Sequence, residues 1–175
     1  MFCNLNLRYK RTFYGWGRKK SGLRAIILAS LSKNSNYILR EDGFIRSIGL
    51  GDSKSFSLVE DDLGIYYDAT KPSRLEYLLN NYDFKSDAKL IEKAKQALEL
   101  IRKYKISKYN NALPMSKDYF KNSDREKVLI IDQNKDDLSL KYGLAEKFHI
   151  NKIVDIAISE NPDADIYIKI HPDVI

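Results

Sequence analysis

Two clusters in this 175-residue chain bring together residue types that can do acid–base and phosphate chemistry. Glu41-Asp42-Gly43 sits within the run 37–47, where a short apolar strand delivers two carboxylates into a glycine turn. His171-Pro172 closes a second strand, 166–170, and Lys169 projects to the same side of that strand as the histidine. In open α/β sheets, ligands bind in the crevice beyond the carboxyl ends of the strands. An acid from one sheet and an imidazole from another, facing one cleft, suit transfer of a group that leaves on a phosphate. The imidazole would serve as proton donor or as cation.

Other motifs carry a sharp and a bland reading side by side. Gly15-Trp16-Gly17-Arg18-Lys19-Lys20-Ser21-Gly22 is glycine-rich and basic. Its amides could cradle an anion, with Arg18 and Lys19 adding charge; the alternative is a tight turn before a helix. It has neither the Walker order nor the dinucleotide fingerprint. Adjacent Glu41 and Asp42 repel, which can raise one pKa, and Arg40 and Arg46 could offset that; the alternative is an acidic turn with Gly43 at positive φ. Asp61-Asp62-Leu-Gly64, followed by Tyr66-Tyr67-Asp68, could bind a metal or sugar hydroxyls, or be a solvated loop. A metal site of this kind needs more oxygen ligands than the loop supplies. His149, in Lys147-Phe-His-Ile150, reads as structural.

Three regions must position these groups. Up to about residue 68 the chain is rich in glycine and short apolar runs. Phe13-Tyr14 reads as a strand end, Ser21 as a helix cap, and Ala25, Ile26, Leu28, Ala29 and Leu31 as one buried helical face. Tyr37-Ile38-Leu39 is the next strand. This order is half of a doubly wound α/β unit. Pro72 marks a helix start before Leu75, Leu78 and Leu79. Ser86-Asp87 opens a longer helix with Ala88, Ile91, Ala94, Leu98 and Ile101 on one face. Asn110 to Pro114 breaks that pattern. A new strand, 127–131, leads into Asp132-Gln133, then a helix near 151–159 and the strand before His171. A doubly wound domain needs more strands than follow here, so the chain reads as a fragment of a longer polypeptide.

Composition narrows the class. The chain is 43% apolar and 31% charged, as a globular protein is. No apolar run is long enough to span a bilayer. Met1 to Arg8 lacks the order of a signal peptide, so an intracellular protein is expected. One cysteine, Cys3, and two histidines argue against a structural zinc site. The net charge of +6 can steer the chain toward anions such as nucleic acid, lipid headgroups or acidic sugars and nucleotides. The lysines are spread out and there is no basic strand with stacked aromatics, so nucleic acid is not an expected partner.

The motifs as a set resemble a known family. Gly15 to Gly22, then Leu39-Arg-Glu-Asp-Gly-Phe-Ile-Arg-Ser-Ile-Gly-Leu-Gly51, then Asp61-Asp-Leu-Gly-Ile-Tyr-Tyr-Asp-Ala-Thr70 with Pro72-Ser-Arg-Leu75, look like the bacterial capsule-polysaccharide β-Kdo transferases. Asp132-Gln133, Asp136-Asp137 and Lys169-Ile-His-Pro-Asp-Val174 occur in the same order in that family. The family builds the Kdo linker that joins capsule polysaccharide to its lipid anchor, and its members often carry two transferase modules and the label of capsule export proteins.

The resemblance implies a glycosyltransferase of the GT-B kind, an α/β protein of two Rossmann-like units with the active site between them and the second unit truncated here. The expected division is an acceptor-side Rossmann-like domain with a helical part at 1–108, a connector at 109–126, and the start of the nucleotide-binding unit at 127–175. The donor would be CMP-Kdo and the acceptor a lipid-linked saccharide, with no metal and no cofactor. Asp42 would take the acidic role, as nucleophile or as base beside Glu41 or Asp62, and His171 would meet the donor phosphate. Lys169, Gln133 and Arg18 would assist there, and Arg46, Asp62 and Trp16 would contact acceptor or sugar. The family retains configuration, which normally calls for a carboxylate nucleophile. The protein would work at the cytoplasmic face of the inner membrane, held peripherally on anionic lipid or by capsule assembly and export proteins, and this fragment alone would be weakly active or inactive. Two alternatives stand beside this: a non-catalytic capsule export or binding module, and a nucleotide-sugar epimerase of the same architecture.

Overall fold

The computed structural model describes residues 10–49, 53–110, 115–116, 118–120 and 123–171. Cys3, Gly51, the Asn111–Pro114 break and Pro172 lie outside the described residues. The chain divides into two compact units, Met1–Ala112 and Leu113–Ile175.

The first unit opens with strand β1 (Thr12–Trp16), helix α1 (Lys20–Leu31) and strand β2 (Asn36–Asp42). β1 runs parallel to β2, with Thr12 opposite Asn36 and Trp16 opposite Arg40. Gly15 and Trp16 therefore belong to the strand rather than to the turn after it. A third strand, β3 (Leu58–Asp61), was not expected from the sequence. It pairs antiparallel with β2, Leu39 opposite Asp61 and Asp42 opposite Leu58, in the order β1-β2-β3. An antiparallel return needs no crossover helix, so this sheet is mixed rather than wholly parallel. Leu39 and Ile65, both 0% exposed, anchor its core.

Of the apolar face expected on α1, the small residues are buried and the leucines are not. Gly22, Ala25 and Ala29 are buried, whereas Leu28 is 46% and Leu31 77% exposed. The reason is a close approach of backbones. A Cβ on Gly15 would collide with the main chain of Ser21 and Gly22, and one on Gly22 with that of Trp16 and Gly17. Only small side chains fit between helix and strand at that separation. Ser21 is not the cap either. The cap position is Lys19, without a side-chain bond, and the Ser21 hydroxyl instead accepts the Trp16 amide at 3.1 Å.

Helices α2 (Arg74–Asn81) and α3 (Ala88–Tyr104) follow. Ser73 caps α2 by accepting the Glu76 amide, with Pro72 one residue ahead of the cap. Asp87 caps α3 by accepting the Leu90 amide, and Lys105, at φ 52°, ends it in the left-handed conformation. No residue of either helix is buried. The apolar face expected on α3 exists but stays open: Ile91 and Ile101 are half-buried and Leu98 is 50% exposed. The chain then returns to the sheet side. The amides of Arg46 and Ser47 both donate to Lys108 O, and the Asn110 amide donates to Ile48 O at 2.8 Å.

The second unit contains β4 (Lys127–Ile131), α4 (Leu138–Tyr142), α5 (Ile150–Glu160) and β5 (Asp165–Lys169). β4 and β5 are parallel, Lys127 opposite Asp165 and Ile131 opposite Lys169. The short α4, capped by Asp137, was not read from the sequence. Ile130 and Ala157 are buried between α5 and the strands. Both units are thus mixed α/β.

Candidate active site

The carboxyl end of β2 carries Glu41 and Asp42, and successive strand residues point to opposite faces. Glu41 turns toward β1, where its Oε1 accepts the Trp16 indole N–H at 2.8 Å and the Asp42 amide at 3.2 Å. Its other oxygen lies beside Gly17, which sits at φ 37°. A Cβ there would come within 2.7 Å of Glu41 Oε2 and collide with the Tyr67 hydroxyl. That hydroxyl accepts the Arg18 amide at 2.8 Å. Burial pushes the Glu41 carboxyl above its ordinary pKa, while the Asp42 amide and the indole pull it down. Repulsion from Asp42, the cause expected from the sequence, is a lesser contribution. Burial also pushes Tyr67 up to about 12, with the Glu41 charge adding to it against the Arg18 amide bond.

Asp42 turns the other way and is held by Arg46. The Arg46 Nε donates to Asp42 Oδ2 at 2.6 Å, with the two side chains only 16% and 20% exposed. Arg46 also donates to the Ser47 hydroxyl and lies 5.7 Å from the Tyr109 ring centre. Arg40, expected to offset the two acids, instead pairs with Glu60 across the antiparallel register and lies over Tyr14. Among the described glycines only Gly17 has a positive φ. Gly43 is therefore not a positive-φ turn residue. It is required because a Cβ would strike Ser57, whose carbonyl accepts the Gly43 amide at 2.9 Å.

Arg18 does not stand ready for a phosphate. Its guanidinium is buried against Asp68, with the two side chains 5% and 1% exposed. Burial alone would raise the Asp68 pKa, but the Thr70 hydroxyl and amide, together with Arg18, bring it below the ordinary carboxylate value. Four amides of the glycine-rich turn are occupied as well. Trp16 donates to Ser21 Oγ, Gly17 to Arg40 O, Arg18 to Tyr67, and Lys19 to Trp16 O. Residues 16–19 thus brace neighbouring loops, with Arg18 engaged by Asp68.

Asp62 lies apart from Glu41, exposed in a two-pronged pair with Arg74, both bonds at 2.8 Å. That pair lowers its pKa. Its neighbour Asp61 is 1% exposed and structural: it accepts the amides of Leu63, Gly64 and Arg74. The sequence places Asp61, Tyr67 and Asp68 in a loop read as solvated or ligand-binding, and misses their structural roles. The Asp-x-x-Gly spacing at 61–64 is the signal for the first, since such side chains fold back onto amides just ahead. Nothing local marks the other two.

In the second unit, strand pairing brings Gln133 and Lys169 close in the fold. The Asp132 amide donates to Lys169 O at 2.9 Å, and the Gln133 amide donates to Asp132 Oδ1 at 2.9 Å. The Lys169 side chain is exposed and His171, two residues beyond β5, is half-buried. Gln133 lines a concavity of about 410 Å³ beyond the carboxyl end of β4, together with Lys135, Phe148 and His149. His149, read from sequence as structural, is exposed at the cap of α5 without a side-chain capping bond. Asp42 belongs to the first unit and His171 to the second. Among the described residues no group of three His, Cys, Asp or Glu side chains is placed to hold a metal ion.

The chain is 42% identical over 165 residues to the capsule polysaccharide modification protein LipA of Neisseria meningitidis serogroup A, covering 92% of this chain and 23% of that protein. It is 32% identical to the lipopolysaccharide-processing protein LpsZ of Rhizobium meliloti, covering 99% of this chain and 44% of that one. Among solved structures it is similar to the beta Kdo 2,4 transferase of Thermosulfurimonas dismutans KpsC, with TM-score 0.81 and 44% identity over 92% of this chain and 50% of that one. The beta Kdo 2,7 transferase of the same KpsC gives TM-score 0.67 and 33% identity over 94% and 48%. The chain therefore spans half the length of these solved relatives and under a quarter of the Neisseria protein. The model of the capsule polysaccharide biosynthesis protein family matches residues 12–175, nearly the whole described fold, and this chain belongs to that family.

Proposed function

We propose that this chain is part of a glycosyltransferase that moves Kdo from CMP-Kdo to a lipid-linked saccharide, forming a β linkage in the capsule linker. The observation that carries the reading is the likeness to the beta Kdo 2,4 transferase, 44% identical at TM-score 0.81. The acid pair on β2 supports it, because Asp42, paired with Arg46, and Glu41 stand at the end of a strand, where such sheets bind ligands. In this reading the two units are the two Rossmann-like halves of a GT-B enzyme, with the acceptor side in residues 1–108, a connector at 109–126 and the nucleotide side beginning at 127.

Asp42 is assigned to the reacting centre. Ion-paired with Arg46, it bonds through an oxygen to the anomeric carbon of Kdo as the bond to the CMP phosphate oxygen breaks. CMP leaves with the electron pair, near His171, Lys169 and Gln133. The acceptor hydroxyl then displaces Asp42 and yields its proton to a base, which completes retention in two displacements. Glu41 supports the strand end from the opposite face, and the buried Arg18 takes no part in phosphate binding. No metal or cofactor enters this route. The site would operate at the cytoplasmic face, where CMP-sugars are found.

Two measurements test the reading. Calorimetric titration of the longer polypeptide that contains this chain with CMP-Kdo, CMP, a UDP-sugar and buffer separates the alternatives: cytidine binding supports the transferase, a UDP-sugar alone would indicate an epimerase, and no nucleotide an export module. In the longer polypeptide that contains this chain, Asp42→Asn should lower Kdo transfer at least a thousand-fold with unchanged circular dichroism, since an amide neither attacks carbon nor takes a proton. Turnover within ten-fold of the unaltered protein removes Asp42 from the mechanism.

A further inference from the structure

Helix α3 sorts its side chains in a way that neither catalysis nor core packing requires. At roughly 100° per residue, Leu90, Ile91, Ala94, Leu98, Ile101 and Tyr104 fall on one arc of about 140°, with Leu100, 52% exposed, outside it. Lys93 borders that arc on one side, and Arg102 with Lys95 on the other, while Glu92 and Glu99 lie near the middle of the opposite face. No residue of the helix is buried, and Leu98 and Tyr104 are 50% and 62% exposed.

We infer that α3 lies along an anionic lipid surface, with its apolar arc in the headgroup boundary and its flanking cations among the phosphates. Long basic side chains at the edge of an apolar face bury their stems and carry their charge upward to the headgroups. Acids at the centre of the far face stay in water. That distribution is what an interfacial helix needs. The helix carries five basic and two acidic side chains. A second copy of this face would bring like charges together, so charge complementarity favours lipid over self-association. Among the described residues no helix is long and apolar enough to cross a membrane. The helical period brings Lys93, Lys95 and Arg102 to the edges of the arc and leaves Lys89 and Lys103 on the far face. This inference goes beyond the transferase reading, because lipid binding involves no sugar donor and is measured without one.

The test is sedimentation of the whole 175-residue chain with vesicles of phosphatidylglycerol and phosphatidylcholine, against phosphatidylcholine alone. Binding to the anionic vesicles is expected, weakened by salt. Lys93→Glu, at the edge of the arc, should lower partition about ten-fold. Lys103→Glu, the same change of charge on the water side, should lower it less than three-fold by the same rule. Leu98→Ala should lower it about five-fold, with helix content checked by circular dichroism. Equal losses for Lys93→Glu and Lys103→Glu would overturn the orientation. Salt-insensitive binding to both vesicle types, or no binding to either, would overturn the inference, as would a concentration-dependent dimer that Leu98→Ala splits without affecting lipid binding.

Discussion

The indole of Trp16 and the carboxylate of Glu41 are joined at 2.8 Å from neighbouring parallel strands. This bond places the chain's single tryptophan against one of its two central acids. It also supplies an optical reporter for that acid.

Burial sets the folded pKa of Glu41 above its unfolded value. Its neutral form therefore favours the folded state. The associated stability is complete below the unfolded value, about 4.3, and is lost as pH rises through the folded one. Trp16 emission should titrate with a midpoint above about 4.3, and Glu41→Gln should abolish the step. A midpoint at or below the ordinary glutamate value would contradict the burial argument.

Asp68 behaves in the opposite sense. Its folded pKa is depressed, so its contribution is present above the unfolded value and is lost as pH falls through the folded one. Arg18→Met leaves Asp68 buried without its cation. Stability to urea at pH 7 should fall by about 3 kcal/mol, and the gap between variant and parent should narrow below about pH 4, where Asp68 is protonated in the unfolded chain. A gap constant from pH 7 to pH 3 would show that the pair is not the source.

One carboxylate closes the loop between β3 and α2. Asp61→Asn keeps a carbonyl oxygen but turns an amide against at least one of the three backbone donors it serves. We expect a loss of about 2 kcal/mol in urea denaturation, with Asp62→Asn, on the exposed pair, costing less than about 1 kcal/mol. Equal losses would mean that the loop is not held through Asp61.

If His171 meets the donor phosphate as proposed, His171→Ala in the longer polypeptide should raise KM for CMP-Kdo more than ten-fold and leave acceptor KM within about two-fold. If acceptor KM moves alone, the histidine serves the other substrate.

Much of this was legible from local pattern. The strand 127–131 and the helix after Asp87 follow from apolar period and a capping aspartate. The mixed α/β class followed from strand–turn–helix–strand order. What escaped depended on partners distant in sequence. Arg18 reads as a phosphate ligand until Asp68, fifty residues on, is found against it. Strand β3 is four residues, two apolar followed by two acidic, with no alternation to mark it, so only its pairing with β2 reveals it. On α1 the sequence marks Ala25 and Ala29 but not the exposure of Leu28 and Leu31, because hydrophobicity marks large residues while the close approach to β1 selects small ones. His149 reads as structural beside Phe148, yet its position at the cap of α5 leaves it exposed.

The contact between Gly15 and Gly22 has an evolutionary corollary. Each would-be methyl meets main chain, not a side chain that could be trimmed elsewhere. No second-site substitution can make room, because every residue type carries that same backbone. An alanine at either position should therefore resist suppressor selection, whereas the surfaces of Leu28 and Leu31 on the far side of the same helix should drift freely among relatives.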